Sequence, residues 1–229
     1  MKTLYTAIGR FERRTEGCNK EYPVVMISGQ EYLLDQQELL LWNAMSWRIL
    51  KKQDIPRHYL RSLQNCDFTP QRSWEACLNR QLTRGLVVCA SGETEYGALY
   101  ELISSLQILP ARGSFLVQLM AYCKLVKRYG FSLRMLKFIF RRDKRSAQEQ
   151  QVMALVQQTE LSTAEVIKCF DRNVYSIPND EAVMDMLYHD DDTTSDNIAG
   201  LMKNSKASKD VILAVSNLYL RQQIIFERI

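Results

Sequence analysis

Two histidines, nine glycines and five prolines in 229 residues leave little material for several common chemistries and folds. So few chain breakers argue against a many-turned β-sandwich and favour helices. With only His58 and His189 present, a histidine-based metal centre or general base has almost nothing to draw on. His189 with Asp185, Asp190, Asp191 and Asp192 lacks the glycine and the spaced ligands of a calcium loop, and reads as a solvated acidic turn. No glycine-rich stretch of the kind that cradles phosphates is present. The six cysteines, Cys18, Cys66, Cys77, Cys89, Cys123 and Cys169, include no pair at the short spacing of zinc sites. Cys77, Cys123 and Cys169 fall in apolar patterns, where a thiol behaves as a small hydrophobe. No apolar run reaches about 18 residues, so no membrane span is expected, and Met1–Arg14 lacks the apolar core of a signal peptide. The expectation is a cytoplasmic protein with no metal, no cofactor and no catalytic residue.

What is present is ordinary in amount and uneven in distribution. Hydrophobic residues make up 46% of the chain and charged residues 24%, enough to bury a core in one large or two small domains. The net charge is +4. Residues 1–110 are close to neutral, residues 111–175 hold 12 basic and 5 acidic side chains, and residues 176–229 hold 5 basic and 9 acidic ones. Attraction to phosphates is therefore expected to concentrate in the middle of the chain. These shifts suggest an N-terminal domain over 1–110, a basic helical segment over 111–175 and an acidic module over 176–229.

Local patterns predict mainly α structure with short β-hairpins. Residues 4–33 are the β-rich part, with a hairpin at Ser28-Gly29 between apolar runs and a loop from Arg13 to Lys20. Asp35 with Glu38 forms a capping-box pattern ahead of a buried helix over 36–51. A short helix follows over 56–65. Thr69 and Pro70 then open a helix over 70–84, which Gly85 terminates before a short strand, Leu86 to Cys89, and a loop over 91–95. Tyr96 to Leu109 reads as a helix ending at Pro110. Further helices are expected over 115–129, from Ser132 to Phe140, over 146–158 and after Ser162. A last helix begins at Ser208 and runs into a strand at Ile224–Phe226. Sliding Leu86 onto Ile224 gives a weak internal repeat.

The succession of helix 36–51, helix 56–65, helix 70–84, strand 86–89 and loop 91–95 resembles the winged-helix form of the helix-turn-helix superfamily. A second unit of similar layout closes the chain. The resemblance implies that the third helix enters the major groove and that the loop touches the flanking backbone. It places Gln71, Arg72, Ser73, Asn79, Arg80 and Arg84 toward DNA, since Arg and Gln can bond base edges and Arg and Ser can take phosphates. The densest basic cluster, Arg134, Lys137, Arg141, Arg142, Lys144 and Arg145, supplies further phosphate contacts. The expected activity is that of a transcriptional regulator, or of a replication or mobile-element accessory protein. Duplex DNA is the expected partner. A homodimer is expected because one helix contacts few base pairs. The loop over 91–95 carries Glu93 and Glu95 where a phosphate-binding wing would be basic. That acidity and the acidic C-terminal module favour the alternative, a protein-interaction module that binds no DNA.

Overall fold

In the first sheet, strand β1 (Lys2–Ala7) lies between β5 (Leu50–Lys51) and β6 (Val87–Gly92), antiparallel to both. The computed structural model describes residues 1–16, 20–64, 69–111, 144–189 and 192–228. A second sheet is the meander β2 (Arg10–Glu16), β3 (Lys20–Ile27) and β4 (Gln30–Leu33). The third places β7 (Gln107–Pro110) between β8 (Leu161–Ser162) and β9 (Ile224–Glu227). The helices are α1 (Gln36–Met45), α2 (Ile55–Leu63), α3 (Trp74–Thr83), α4 (Glu95–Ile103), α5 (Ala147–Val156), α6 (Thr163–Asp171), α7 (Asp180–Leu187), α8 (Ile198–Met202) and α9 (Ser208–Leu220).

The described residues are therefore mixed α/β, 46% helix and 22% strand, rather than mainly α. Three segments account for the difference. The stretch from Arg13, expected as a loop, continues strand β2 as far as Glu16, because an antiparallel meander with one solvated face accepts a polar strand. The helix expected over 36–51 stops at Met45; Trp47 takes a left-handed φ of 53°, and Leu50 turns back to pair with Tyr5. The helix expected over 96–109 stops at Ile103, and Gln107–Pro110 becomes the central strand of the third sheet. The boundary expected at 110 thus falls at the end of a strand that pairs with β8 and β9. The helices expected over 115–129 and from Ser132 to Phe140 lie outside the described residues.

Other local signals are realised. Asp35 and Glu38 form the capping box. Ser28 and Gly29 both have positive φ, 47° and 77°, as a two-residue hairpin turn of the mirror-image type requires. Gly9, with φ 89°, makes a contact that no side chain could share: a Cβ there would meet the Met26 carbonyl oxygen at 2.7 Å. Its N–H donates to the Phe226 carbonyl at 2.8 Å. Gly9→Ala is expected to cost about 2–3 kcal/mol in chemical denaturation, through overpacking and a strained φ. A cost under about 0.5 kcal/mol would show that the strand moves aside.

The chain contains one unit built twice, in the order strand, helix, short strand, helix, helix, strand. The first copy is β1, α1, β5, α2, α3 and β6, with the meander β2–β4 between its first strand and first helix; the second is β7, α5, β8, α6, α9 and β9, with α7 and α8 between its second and third helices. The sheet orders β5-β1-β6 and β8-β7-β9 are equivalent. Asp35, Glu38, Leu41, Trp42, Ala44, Met45 and Leu50 correspond at one constant displacement to Ser146, Glu149, Val152, Met153, Leu155, Val156 and Leu161. Both helix starts are capping boxes, and every one of the paired apolar residues is buried. The third helices end alike: Leu86 N–H donates to Gln81 and Gln223 N–H to Leu218, around left-handed Gly85 and Gln222. Val87, not Leu86, is therefore the counterpart of Ile224.

One core joins the two copies. Tyr219, 2% exposed, donates its hydroxyl to the Ala7 carbonyl at 2.9 Å and accepts the Trp47 N–H at 3.0 Å. The same oxygen lies 2.7 Å from Thr6 Oγ1. The Tyr219 ring packs on Phe226 with centroids 4.4 Å apart.

Candidate nucleic-acid interface

Helix α3 begins at Trp74, not at Pro70, because Ser73 supplies the cap by accepting the Ala76 N–H at 3.2 Å. Gln71 and Arg72 consequently precede the helix. Gln71 is exposed. Arg72 is clamped: its guanidinium bonds Asp35, its N–H donates to Gln37 Oε1 at 3.2 Å, and its carbonyl accepts Gln37 Nε2 at 2.7 Å. Arg80 Nε lies 2.6 Å from Glu38 Oε1, and Arg84 Nη1 lies 2.9 Å from Glu38 Oε2. Arg84 also donates to the Leu33 carbonyl. Gln81 is fully buried and donates to the Glu38 carbonyl at 2.6 Å. On the outer face of α3, Asn79 is exposed and Arg80 keeps 57% of its side chain in solvent.

The second copy repeats this clasp. Glu149 caps α5, and its Oε2 accepts Arg221 Nη1 at 3.0 Å, just as Glu38 accepts Arg84. Arg72, Arg80 and Arg84 therefore tie α3 to the start of α1. Only Arg80 among them combines wide exposure with a place on the helix.

Arg134, Lys137, Arg141 and Arg142 lie outside the described residues. Lys144 is exposed, and Arg145 Nε bonds the Gln223 side chain. The expected wing is not formed as a hairpin. Strand β6 runs directly into α4, and its partner is β1. Glu95 is the first residue of α4 and pairs with Lys51 and, at 3.6 Å, with Lys2.

A different basic surface emerges on α2 and the turn before it. Residues 48–61 carry Arg48, Lys51, Lys52, Arg57 and Arg61 against Asp54 alone. His58 reports their convergence. Burial first, then the charges of Arg48, Arg61 and Arg57, push its imidazole below the ordinary histidine value. Lys52, Arg57 and Arg61 are exposed. This surface was readable as a short basic run, but the local excess is smaller than that of residues 134–145, and it vanishes in the neutral total for residues 1–110.

At the equivalent positions of the second copy, Thr159, Ser162 and Thr163 are uncharged, Lys168 is buried and donates to Thr193 Oγ1 at 2.7 Å, and Arg172 keeps its charge. Its third helix instead exposes Leu213 (45%) and Leu220 (50%). Burial raises the Cys77 thiol to about 11 and the Cys169 thiol to about 12, so neither is a thiolate near neutral pH. Among the described residues no group of three His, Cys, Asp or Glu side chains is placed to hold a metal, and no helix is long and apolar enough to cross a membrane.

The described architecture is that of a duplicated mixed α/β unit with a basic surface on one copy and an apolar helix face on the other. Comparison with protein-family models, curated proteins and solved structures found no match.

Proposed function

We propose that the first copy binds duplex DNA through the basic surface of α2 and the outer face of α3, in the service of transcriptional regulation or of replication or mobile-element functions. Lys52, Arg57 and Arg61 take phosphates, and Asn79 and Arg80 of α3 meet base edges. The observation that carries this reading is the clustering of Arg48, Arg57 and Arg61 about His58, beside Lys51 and Lys52, with Asp54 and Glu95 among the acidic neighbours. Arg72 and Arg84 act by holding α3 in place and not by touching DNA.

The reading predicts salt-dependent binding to a duplex. The pair Arg57→Ala and Arg61→Ala should weaken binding at least about tenfold near physiological salt and reduce the slope of log K against log salt by about 2, one step per lost phosphate contact. Fluorescence anisotropy over a salt series measures both. Equal affinity and equal slope for the wild type and the variant would discard the reading.

A second reading, self-association or protein docking through the second copy, is favoured by Leu213 and Leu220 on the helix that corresponds to α3. Sedimentation of wild type against Leu213→Lys with Leu220→Lys tests the homodimer. An unchanged sedimentation coefficient would remove this face as a dimer contact.

A further inference from the structure

Beside the basic surface, the start of β1, the 3-10 turn Lys52–Asp54 and the first turns of α2 and α3 enclose an open depression of about 620 Å3. Its lining includes Lys2, Lys51, Lys52, Gln53, Pro56 and Trp74. The volume falls within the range of small-molecule sites. Lys2 and Lys51 share a single carboxylate, that of Glu95, and among the described residues Lys52 has no ion-pair partner. Three ammonium groups stand against two carboxylates, those of Glu95 and of Asp54 in the adjoining turn, which leaves the depression net positive. Trp74 is half-buried and brings indole surface to the same wall.

Ammonium groups beside an indole match the two halves of a nucleotide. Phosphate takes the cations, and the base stacks on the aromatic ring. A base stacked on a protein side chain has left the duplex stack. We infer that this depression receives one unpaired nucleotide, from a single-stranded end or overhang of the nucleic acid that the adjoining surface binds. The inference rests on the proposed DNA binding for its natural ligand and not for its chemistry. Lys51 and Lys52 link the two surfaces, so a duplex on α2 leads its end into the depression.

The test uses the full chain with two probes, 5′-thymidine monophosphate and a pair of duplexes identical except for a four-nucleotide 5′ overhang. The chain has three tryptophans, Trp42, Trp47 and Trp74, and Trp42 is buried. The mononucleotide should quench fluorescence in the wild type and not in Trp74→Leu. The overhang duplex should bind about tenfold more tightly than the blunt one, and Trp74→Leu should remove that preference while leaving blunt-duplex affinity unchanged. Salt-dependent duplex binding with no overhang preference and no Trp74 quenching overturns the nucleotide site and spares the DNA reading. Trp74 quenching by the mononucleotide with no duplex binding sinks the DNA reading and supports the site. Inorganic phosphate competing as well as the mononucleotide overturns the stacking half of the inference.

Discussion

Glu38→Ala is expected to lower the unfolding free energy by about 3 kcal/mol, toward the low end for breaking a buried ion pair. The Glu38 side chain is 1% exposed and serves three groups: the Asp35 N–H as the returning arm of the capping box, Arg84 through Oε2 and Arg80 through Oε1. Truncation takes from the Arg84 guanidinium, 25% exposed, its buried carboxylate and removes the returning arm of the capping box, while the Asp35 side chain still caps α1. The estimate is held down because Arg80 remains mostly solvated and regains water. In a chain of this size such a loss lowers the melting temperature by about 6–12 °C. Glu149→Ala, which loses the matching Arg221 contact and the bond its side chain returns to the Ser146 N–H, should cost a similar amount in the second copy. A cost under about 1 kcal/mol for Glu38→Ala would place the clasp with ordinary surface ion pairs and refute its structural role.

The neighbouring carboxyl sets an acid limit on the same clasp. Burial raises the Asp35 pKa, but the Glu38 N–H and the Arg72 guanidinium outweigh it and hold the group below its ordinary value. A carboxyl depressed in the folded state stabilises above its unfolded pKa and loses that contribution as pH falls through the folded one. Asp35→Asn should therefore flatten the decline in stability below about pH 4. An unchanged acid limb in Asp35→Asn would show that other carboxylates govern it.

Tyr219→Phe is expected to cost about 2 kcal/mol, and Tyr219→Ala about 4 kcal/mol. The phenylalanine keeps the packing on Phe226 but leaves the Trp47 N–H without its acceptor and removes the donor to the Ala7 carbonyl. Burial pushes the Tyr219 hydroxyl up to about 12, so it stays protonated through the neutral range and these bonds do not titrate there. Tyr219 belongs to the second copy and all three of its hydroxyl partners to the first. Its loss should therefore weaken the coupling between copies as well as the total stability. Wild type should unfold in one calorimetric transition, and Tyr219→Ala should broaden or split it. A single sharp transition in Tyr219→Ala, shifted by less than about 3 °C, would show that the rest of the shared core suffices.

Features set by a few adjacent residues were legible in the sequence. The Asp35–Glu38 cap, the Ser28-Gly29 turn and the stop at Gly85 depend on side-chain reach and backbone sterics within four residues. The candidate site was legible only in its simplest property, local charge. Arg72, Arg80 and Arg84 looked like three free cations on a helix because the sequence does not show that α1 packs its acidic first turn against α3. Glu38 lies more than forty residues from Arg80 and Arg84 along the chain, and the fold turns would-be phosphate contacts into a clasp.

Strand pairing across long separations was equally hidden. Four residues ending in proline, Gln107–Pro110, carry no periodicity that distinguishes a strand from the last turn of a helix. They are a strand because β8 and β9 stand on either side to satisfy their backbone groups. The duplication was visible as an echo between two helix ends and became definite only when equivalent hydrogen bonds fixed the register one residue away. The sequence by itself determined the caps, the turns, the apolar faces and the uneven charge of the middle and end of the chain, because these follow from neighbours in sequence. The tertiary structure decided which cations are spent within the fold, which face of the first copy is left positive and how the two copies join, because those outcomes depend on pairings between distant residues.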